Sequence, residues 1–266
     1  MQKNIQTVKK IAILTSGGDA PGMNAAIRAI VIAAQHYHLE VVGFYAGYNG
    51  LIDDVSTPLG LTDVSHIIHR GGTILKSARC PAMETTLGIA QATSTLLKAQ
   101  VDALIVIGGD GSFAGLMALQ KQWSGQVIGI PGTIDNDIDG TDFTIGFSTA
   151  INTAIEAIDK IRDTAEAFER IFIVELMGRH SGHIAFNVGI ACAAEQIISF
   201  ENFASNKNTN HHEADKLKTL AKEIKLAQAN RHASYIIVLA ENLWRGGASA
   251  LAQQLQTIAE IDCTPC

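Results

Sequence analysis

No apolar stretch of this sequence reaches the roughly 20 residues that a membrane-spanning helix needs. Its start, Met1-Gln2-Lys3-Asn4-Ile5-Gln6, leads straight into a strand and lacks the apolar core of a signal peptide. Cysteine is scarce, with residues at 80, 192, 263 and 266 that make no secreted disulfide framework. Together these absences predict a cytoplasmic protein. No broad basic stripe is present and the formal charge is −6, which argues against nucleic acid as a partner. An anionic substrate would have to meet local arginines against that negative field. There is no internal repeat and no low-complexity tract. A Walker A loop is missing, and the glycine spacing after the first strand fails the dinucleotide fingerprint.

What is present is a folded, globular composition: 266 residues, 47% of them hydrophobic, enough for one large α/β domain or two smaller ones. Apolar strands alternate with helical patterns. Lys10 to Leu14, Val41 to Tyr45, Ala103 to Ile107, Val127 to Ile130, Ile171 to Leu176, Ile197 to Phe200 and Tyr235 to Leu239 read as strands. Helices are expected at Met23 to Gln35, Asp63 to His69, Thr85 to Ala99, Phe113 to Lys121, Ser148 to Ala167, Ser181 to Ala193, Glu213 to Ala229 and Ala248 to Ala259. Tyr48 to Gly50 and Ser205 to His212 read as loops. This alternation predicts parallel sheets with sites at the carboxyl ends of the strands. The long helix from Ser148 is the natural bridge between two lobes, 1–147 and 148–266.

The distinctive residues fall in the loops at those ends. Asp135, Asp137 and Asp139 crowd into five positions after Pro131-Gly132-Thr133-Ile134. Carboxylates beside a core cost free energy unless something binds them, which points to a metal, a substrate hydroxyl or a basic clamp. Asp135 is a candidate base and Thr133 can touch a moving phosphoryl group. In Gly108-Gly109-Asp110-Gly111-Ser112 the glycines let phosphates approach the backbone, and Asp110 can hold Mg²⁺. Against this stands plain helix capping by Asp110 or Ser112. Gly17-Gly18-Asp19-Ala20-Pro21-Gly22 is either a phosphate turn or a tight strand-to-helix connection. Arg79, Arg170 and Arg179 offer planar forks for phosphate charge, although each alone reads as a solvated surface group. Thr209-Asn210-His211-His212 reads as solvated loop, and Cys263-Thr264-Pro265-Cys266 as a bland tail.

Taken jointly, these loops resemble the ATP-dependent 6-phosphofructokinases of the bacterial glycolytic type. The resemblance runs from Ile11 to about Leu255. It is carried by Leu14 to Arg28, Gly108 to Ser112, Pro131 to Asp142, Arg162-Asp163-Thr164 and Met177-Gly178-Arg179, in family order. It implies a two-lobe α/β fold of mostly parallel sheets, an active site between the lobes, and transfer of the γ-phosphoryl group of Mg·ATP to fructose 6-phosphate. Asp135 would be the base, with Thr133 and Asp137 beside it and Arg79 and Arg179 as cationic partners. Asp110 would hold Mg²⁺. Gly18, Tyr48, Arg79, Cys80, Gly109, Asp110, Gly111 and Ser112 would line the ATP site. Thr133, Asp135, Arg170, Met177, Gly178, Arg179 and Glu241 would bind fructose 6-phosphate, Arg170 from a neighbouring subunit of a homotetramer.

Glycine at 111 and 132 favours ATP, because pyrophosphate-using relatives carry Asp and Lys there. The family is allosteric, but Ile32, Val55 and Asn230 stand where its effector pocket has arginines, with Arg28 and Arg162 remaining there, which predicts weak regulation by ADP or phosphoenolpyruvate. The ending Ile261 to Cys266 resembles nothing in the family and reads as a truncation that removes part of the sugar-phosphate clamp. Two rivals remain open: a kinase acting on NAD or lipid, and a truncated nucleotide-binding remnant.

Overall fold

The computed structural model describes residues 8–203, 209–230 and 234–266, with side chains undescribed at 209–212. It divides into two units, Met1–Phe147 and Ser148–Cys266.

In the first unit the elements run β1 (Lys10–Ser16), α1 (Met23–His36), β2 (Glu40–Phe44), α2 (Tyr48–Ile52), β3 (Ser56–Pro58), α3 (Thr86–Lys98), β4 (Ala103–Gly108), α4 (Asp110–Gln120), β5 (Gln126–Thr133) and β6 (Ile145–Gly146). The sheet order is β3-β2-β1-β4-β5-β6, and every pairing is parallel except β2 with β3. Strands buried on both faces need apolar residues at every position. β4 obeys this rule, with Ala103 to Gly108 all buried. Ala12, Leu14, Val42, Phe44, Leu104 and Val106 pack on one face against Leu51, Leu96 and Leu116. Ile13, Val41 and Ile107 pack on the other against Met23, Ile27 and Val31 of α1. The chain reverses direction across the sheet between β1 and β4, so the crevice beyond their carboxyl ends is where a ligand is expected.

The second unit holds α5 (Phe147–Phe168), β7 (Ile171–Leu176), α6 (His183–Ala191), β8 (Gln196–Ile198), α7 (Phe200–Phe203), α8 (Thr209–Ala229), β9 (Tyr235–Ala240), α9 (Gly247–Ala259) and β10 (Cys263–Pro265). Its sheet, β10-β7-β9-β8, is parallel throughout. Ile173, Ile237 and Leu239 meet Leu220 and Ile224 of α8 and Leu251 and Leu255 of α9 in one core.

Several expectations are corrected. Asp63 to His69 is a run of turns rather than a helix, yet it still buries Val64 and Ile67 against α1. Tyr48 to Ile52 is helical, and α4 starts at Asp110 rather than Phe113, so the glycine-rich loop is its first turn. β5 does not stop before Pro131. It runs to Thr133, because β6 joins it only at Gly132 and Thr133 and leaves Pro131 on an open edge, where a missing N–H costs no ladder bond. α8 takes in Thr209 to His212, read above as loop, while 205–208 lie outside the described residues. The supposed bland tail is strand β10: Cys266 N–H donates to Ile173 O at 2.9 Å, and Glu175 N–H to Cys266 O at 2.9 Å.

Candidate functional site

In the first unit three loops gather at the ends of β1, β4 and β5. Ser112 Oγ donates to Ser16 O at 3.0 Å, which ties the head of α4 to the end of β1. Gly108 pairs in register with Pro131, and a β-carbon built on Gly109 would lie 3.6 Å from Thr133 Cβ. The Gly109–Ser112 turn and the Thr133–Asp137 acids are therefore immediate neighbours. Asp110 is exposed in the first turn of α4, and no side chain caps that helix. The first N–H groups of α4 thus point at whatever approaches, in the manner of helix ends that bind anions.

Asp135 is only 8% exposed, and its N–H donates to Thr133 Oγ1 at 3.2 Å. Asp137 is exposed. The loop holding them is laced from within. Thr144 Oγ1 donates to Thr133 O at 2.6 Å, Thr144 N–H to Asn136 Oδ1 at 2.8 Å, and Asn136 Nδ2 to Asp142 O at 3.2 Å. Neither Thr144 nor Asn136 received a role from sequence reasoning, because the partners that define one are backbone groups up to eleven residues away.

A second connection was also missed. Asn24 is 1% exposed at the start of α1; its Nδ2 donates to Arg70 O at 3.0 Å and Gly71 O at 3.2 Å, while its Oδ1 accepts from Ile74 N–H at 2.8 Å. It fixes the 70–74 loop beside Gly17 and Gly18, and a cleft of about 660 Å³ opens there. Gly18 is exposed at this cleft. Arg79 is exposed, its carbonyl held by Asn49 Nδ2 at 3.2 Å, and Cys80 is half-buried against the core under α3.

Two expectations change. Tyr48 is 2% exposed and its hydroxyl donates to Ser112 O at 2.8 Å, so it supports the glycine turn from below instead of offering its hydroxyl to a nucleotide. Burial holds that phenol far above its usual pKa. Gly132 is buried, and a β-carbon there would lie 2.9 Å from Ile107 Cγ2 and 3.5 Å from Met23 Cε. In this chain glycine at 132 therefore also serves the packing against Ile107 and Met23. Gly111 is the open position, with nothing within 4 Å of an added β-carbon.

A magnesium ion fits this arrangement. Mg²⁺ keeps several waters and is commonly held by one or two carboxylates together with substrate phosphates. Asp110 provides one exposed carboxylate at a helix end.

In the second unit the polar groups sit at the ends of β7 and β9. Glu241 Oε1 accepts from Gly178 N–H at 2.8 Å and from Arg179 N–H at 2.5 Å, and Asn242 Nδ2 donates to Arg179 O at 3.0 Å. Gly178 has φ 150, and a β-carbon there would meet Ser181 O at 2.8 Å; Arg179 follows in the left-handed region at φ 54. Met177 and Arg179 are exposed. Arg170 does not join them. It precedes β7, whose six residues at roughly 3.3 Å each put about 20 Å between it and the Gly178 turn. Its guanidinium lies 4.9 Å over the Phe168 ring. Arg28 and Arg162 are already engaged, Arg28 Nη1 with Val64 O at 2.9 Å and Arg162 with Cys192 O at 2.7 Å and Glu195 at 3.4 Å.

The comparisons agree with this layout. A family model described as phosphofructokinase matches residues 10–265, so the ending, expected to be unlike the family, lies almost wholly within it. The chain is 46% identical over 255 residues to ATP-dependent 6-phosphofructokinase 1 of Thermus thermophilus, covering 96% of this chain and 76% of that one. It is 51% identical over 255 residues to ATP-dependent 6-phosphofructokinase of Clostridioides difficile, with the same coverage of both. Among solved structures, the T-state phosphofructokinase of Pichia pastoris superposes with a TM-score of 0.86 at 33% identity, over all of this chain and 30% of that one. A pyrophosphate-dependent phosphofructokinase of Marinobacter aquaeolei shares the fold, with a TM-score of 0.77 at 19% identity, over 97% of this chain and 68% of that one. A match that begins at β1, passes through both units and ends in β10 leaves one assignment: the chain belongs to the phosphofructokinase family.

Proposed function

We propose that the chain transfers the γ-phosphoryl group of ATP to the 1-hydroxyl of fructose 6-phosphate, giving fructose 1,6-bisphosphate and ADP. The observation that carries this reading is Asp135, a carboxylate 8% exposed on a laced loop and next to a glycine turn open to phosphate. Its job is to accept the hydroxyl proton as the sugar oxygen bonds to the γ-phosphorus. The bond from that phosphorus to the β,γ-bridging oxygen breaks, and ADP leaves with the electron pair. Thr133 Oγ1 already accepts from Asp135 N–H, so its own proton is left to donate toward the moving phosphoryl group. The α4 N–H groups and Arg79 would neutralise charge on the nucleotide phosphates. Mg²⁺ held by Asp110 would screen the charge on the β- and γ-phosphates.

Fructose 6-phosphate would be held by Met177, Gly178, Arg179 and Glu241. Arg170 lies at the opposite end of β7, which supports its acting in a neighbouring subunit of a homotetramer. The openness at Gly111 supports ATP over pyrophosphate as donor. We place the enzyme in the cytoplasm as part of glycolysis; no helix among the described residues is long and apolar enough to cross a membrane. The bonds already made by Arg28 and Arg162 support weak regulation by ADP or phosphoenolpyruvate. A coupled assay with fructose 6-phosphate and either ATP or pyrophosphate tests the reading. Saturable turnover with ATP alone is expected, and turnover with neither donor at saturating sugar would overturn it.

A further inference from the structure

Lys76 stands out in the cleft beside Gly17 and Gly18. Together with Arg70 it supplies the positive charge of the lining, against the single carboxylate of Asp19. It is exposed, and among the described residues its ammonium forms no ion pair. Its backbone is unusual for a lysine. It sits at φ 60, in the left-handed region where a side chain costs free energy and where glycine would be at ease.

The surroundings hold it there. Thr15 Oγ1 donates to Lys76 O at 2.8 Å and lies 3.0 Å from Thr73 Oγ1. On the far side, Ser77 Oγ donates to Gly17 O at 2.8 Å and Gly17 N–H to Ala78 O at 3.2 Å. Leu75, the residue before it, is 1% exposed and anchored in the core. The loop bearing Lys76 is thus stitched on both sides to the turn that follows β1. An added β-carbon on Gly18 would find no atom within 4 Å, so the space in front of that turn is free for a ligand. A strained, unpaired cation fixed against a glycine turn at the rim of a cleft is built for an anion.

We propose that Lys76 is a further substrate-binding residue, whose ammonium takes up a phosphate oxygen of the bound nucleotide at the Gly17–Gly18 turn. The identity of the anion rests on the phosphotransferase reading above. A phosphate of the sugar substrate has the same chemistry, and the nucleotide is favoured because the cleft is walled by the loop after β1, at the switch point of the sheet.

The test uses Lys76→Gly, which removes the ammonium while relaxing the left-handed backbone and so leaves folding intact, and Lys76→Arg, which keeps the charge. ATP binding to the full chain is measured directly by calorimetry without sugar, and KM and kcat are measured for both substrates. Loss of one charge-assisted contact predicts an ATP Kd and KM about 10-fold higher in Lys76→Gly, with kcat within about 3-fold of the parent. Lys76→Arg should return within about 3-fold of the parent, and the parent's ATP affinity should fall with added salt more steeply than that of Lys76→Gly. An unchanged ATP Kd in Lys76→Gly, beside a parent that binds ATP, overturns the role of Lys76 alone. A shift in the fructose 6-phosphate KM in place of the ATP KM overturns the nucleotide assignment. A parent that binds no ATP overturns the phosphotransferase reading itself.

Discussion

Glu241 gives the sharpest test of how the second unit presents Arg179. One oxygen, Oε1, accepts the N–H groups of both Gly178 and Arg179, across a turn with φ 150 followed by φ 54. A hydrogen bond to a charged group contributes about 1.5–3 kcal/mol, and half-burial of the carboxylate puts the pair near the low end, about 2–3 kcal/mol in total. Holding a non-glycine residue in the left-handed region costs about 1–2 kcal/mol. Glu241→Ala therefore removes more than the turn needs to stay closed, and the competent conformation becomes a minority. Apparent affinity falls by the fraction of competent turn, so the fructose 6-phosphate KM should rise roughly 10- to 100-fold. Glu241→Gln keeps an acceptor at the same place, with neutral bonds of about 0.5–1.5 kcal/mol each, and should raise it only a few-fold. Sugar saturation curves in a coupled assay at fixed ATP separate the two variants, and the ATP KM should not move. Equal losses in both variants would mean that the negative charge acts beyond holding the turn. No loss in either would refute the positioning argument.

The remaining predictions concern the first unit and the terminal strand. Asp135→Ser should lower kcat by about 10²- to 10⁴-fold while the ATP KM stays within a few-fold, and unchanged turnover would remove Asp135 from the mechanism. Thr144→Val leaves Thr133 O without its side-chain donor, while Thr144 N–H still reaches Asn136 Oδ1; urea unfolding should show a loss of about 1–3 kcal/mol, with a parallel drop in kcat. Burial pushes the Cys263 thiol up to about 12 from an ordinary value near 9.0, so at pH 8 alkylation should reach the exposed Cys266 well before Cys263. Because the folded-state pKa is the higher one, the stability linked to Cys263 is fully present below pH 9 and is lost as pH rises toward 12. Denaturation midpoints of Cys263→Ala and the parent should therefore converge with rising pH across that window. Phosphoenolpyruvate at millimolar concentration should change sugar saturation little, and strong inhibition would contradict the reading of Arg28 and Arg162 as engaged residues.

The strands that organise both units were legible because the physics behind them is local. β1, β4, β7 and β9 are apolar runs, closed by Gly17 after β1, Gly108 at the end of β4 and Glu241 after β9, and a strand buried on both faces needs little else to be recognised. β3, β6 and β10 have three residues or fewer and depend on a neighbouring strand, so no periodicity announces them. The five-residue helix α2 has Gly50 inside it and no side-chain cap, and it was invisible for the same reason. Asp63 to His69 misled in the opposite sense: Val64 and Ile67 have helical spacing, but they reach the core from a series of turns. In the candidate site, the acids and the glycine turn were readable because such residues beside a strand end are out of place in a core. Asn24, Asn136, Thr144 and Asn242, which hold those side chains in position, were not readable. Each acts on backbone groups brought close only by the folded chain, and an isolated polar residue carries no sign of that. Only the left-handed backbone of Lys76 and its place at the cleft distinguish it from a solvated lysine.

The claim on which all of this depends is that Asp135 and the glycine turn at Asp110 act together on a sugar hydroxyl. Phosphorus NMR of the chain mixed with Mg·ATP and fructose 6-phosphate follows donor and product at once. The account predicts that ADP and a second phosphate monoester on the same sugar appear in equal amounts, and that Asp135→Ser slows the appearance of both signals together by at least about 100-fold. ADP released without a sugar bisphosphate, or bisphosphate formed at the parent rate by Asp135→Ser, would contradict it.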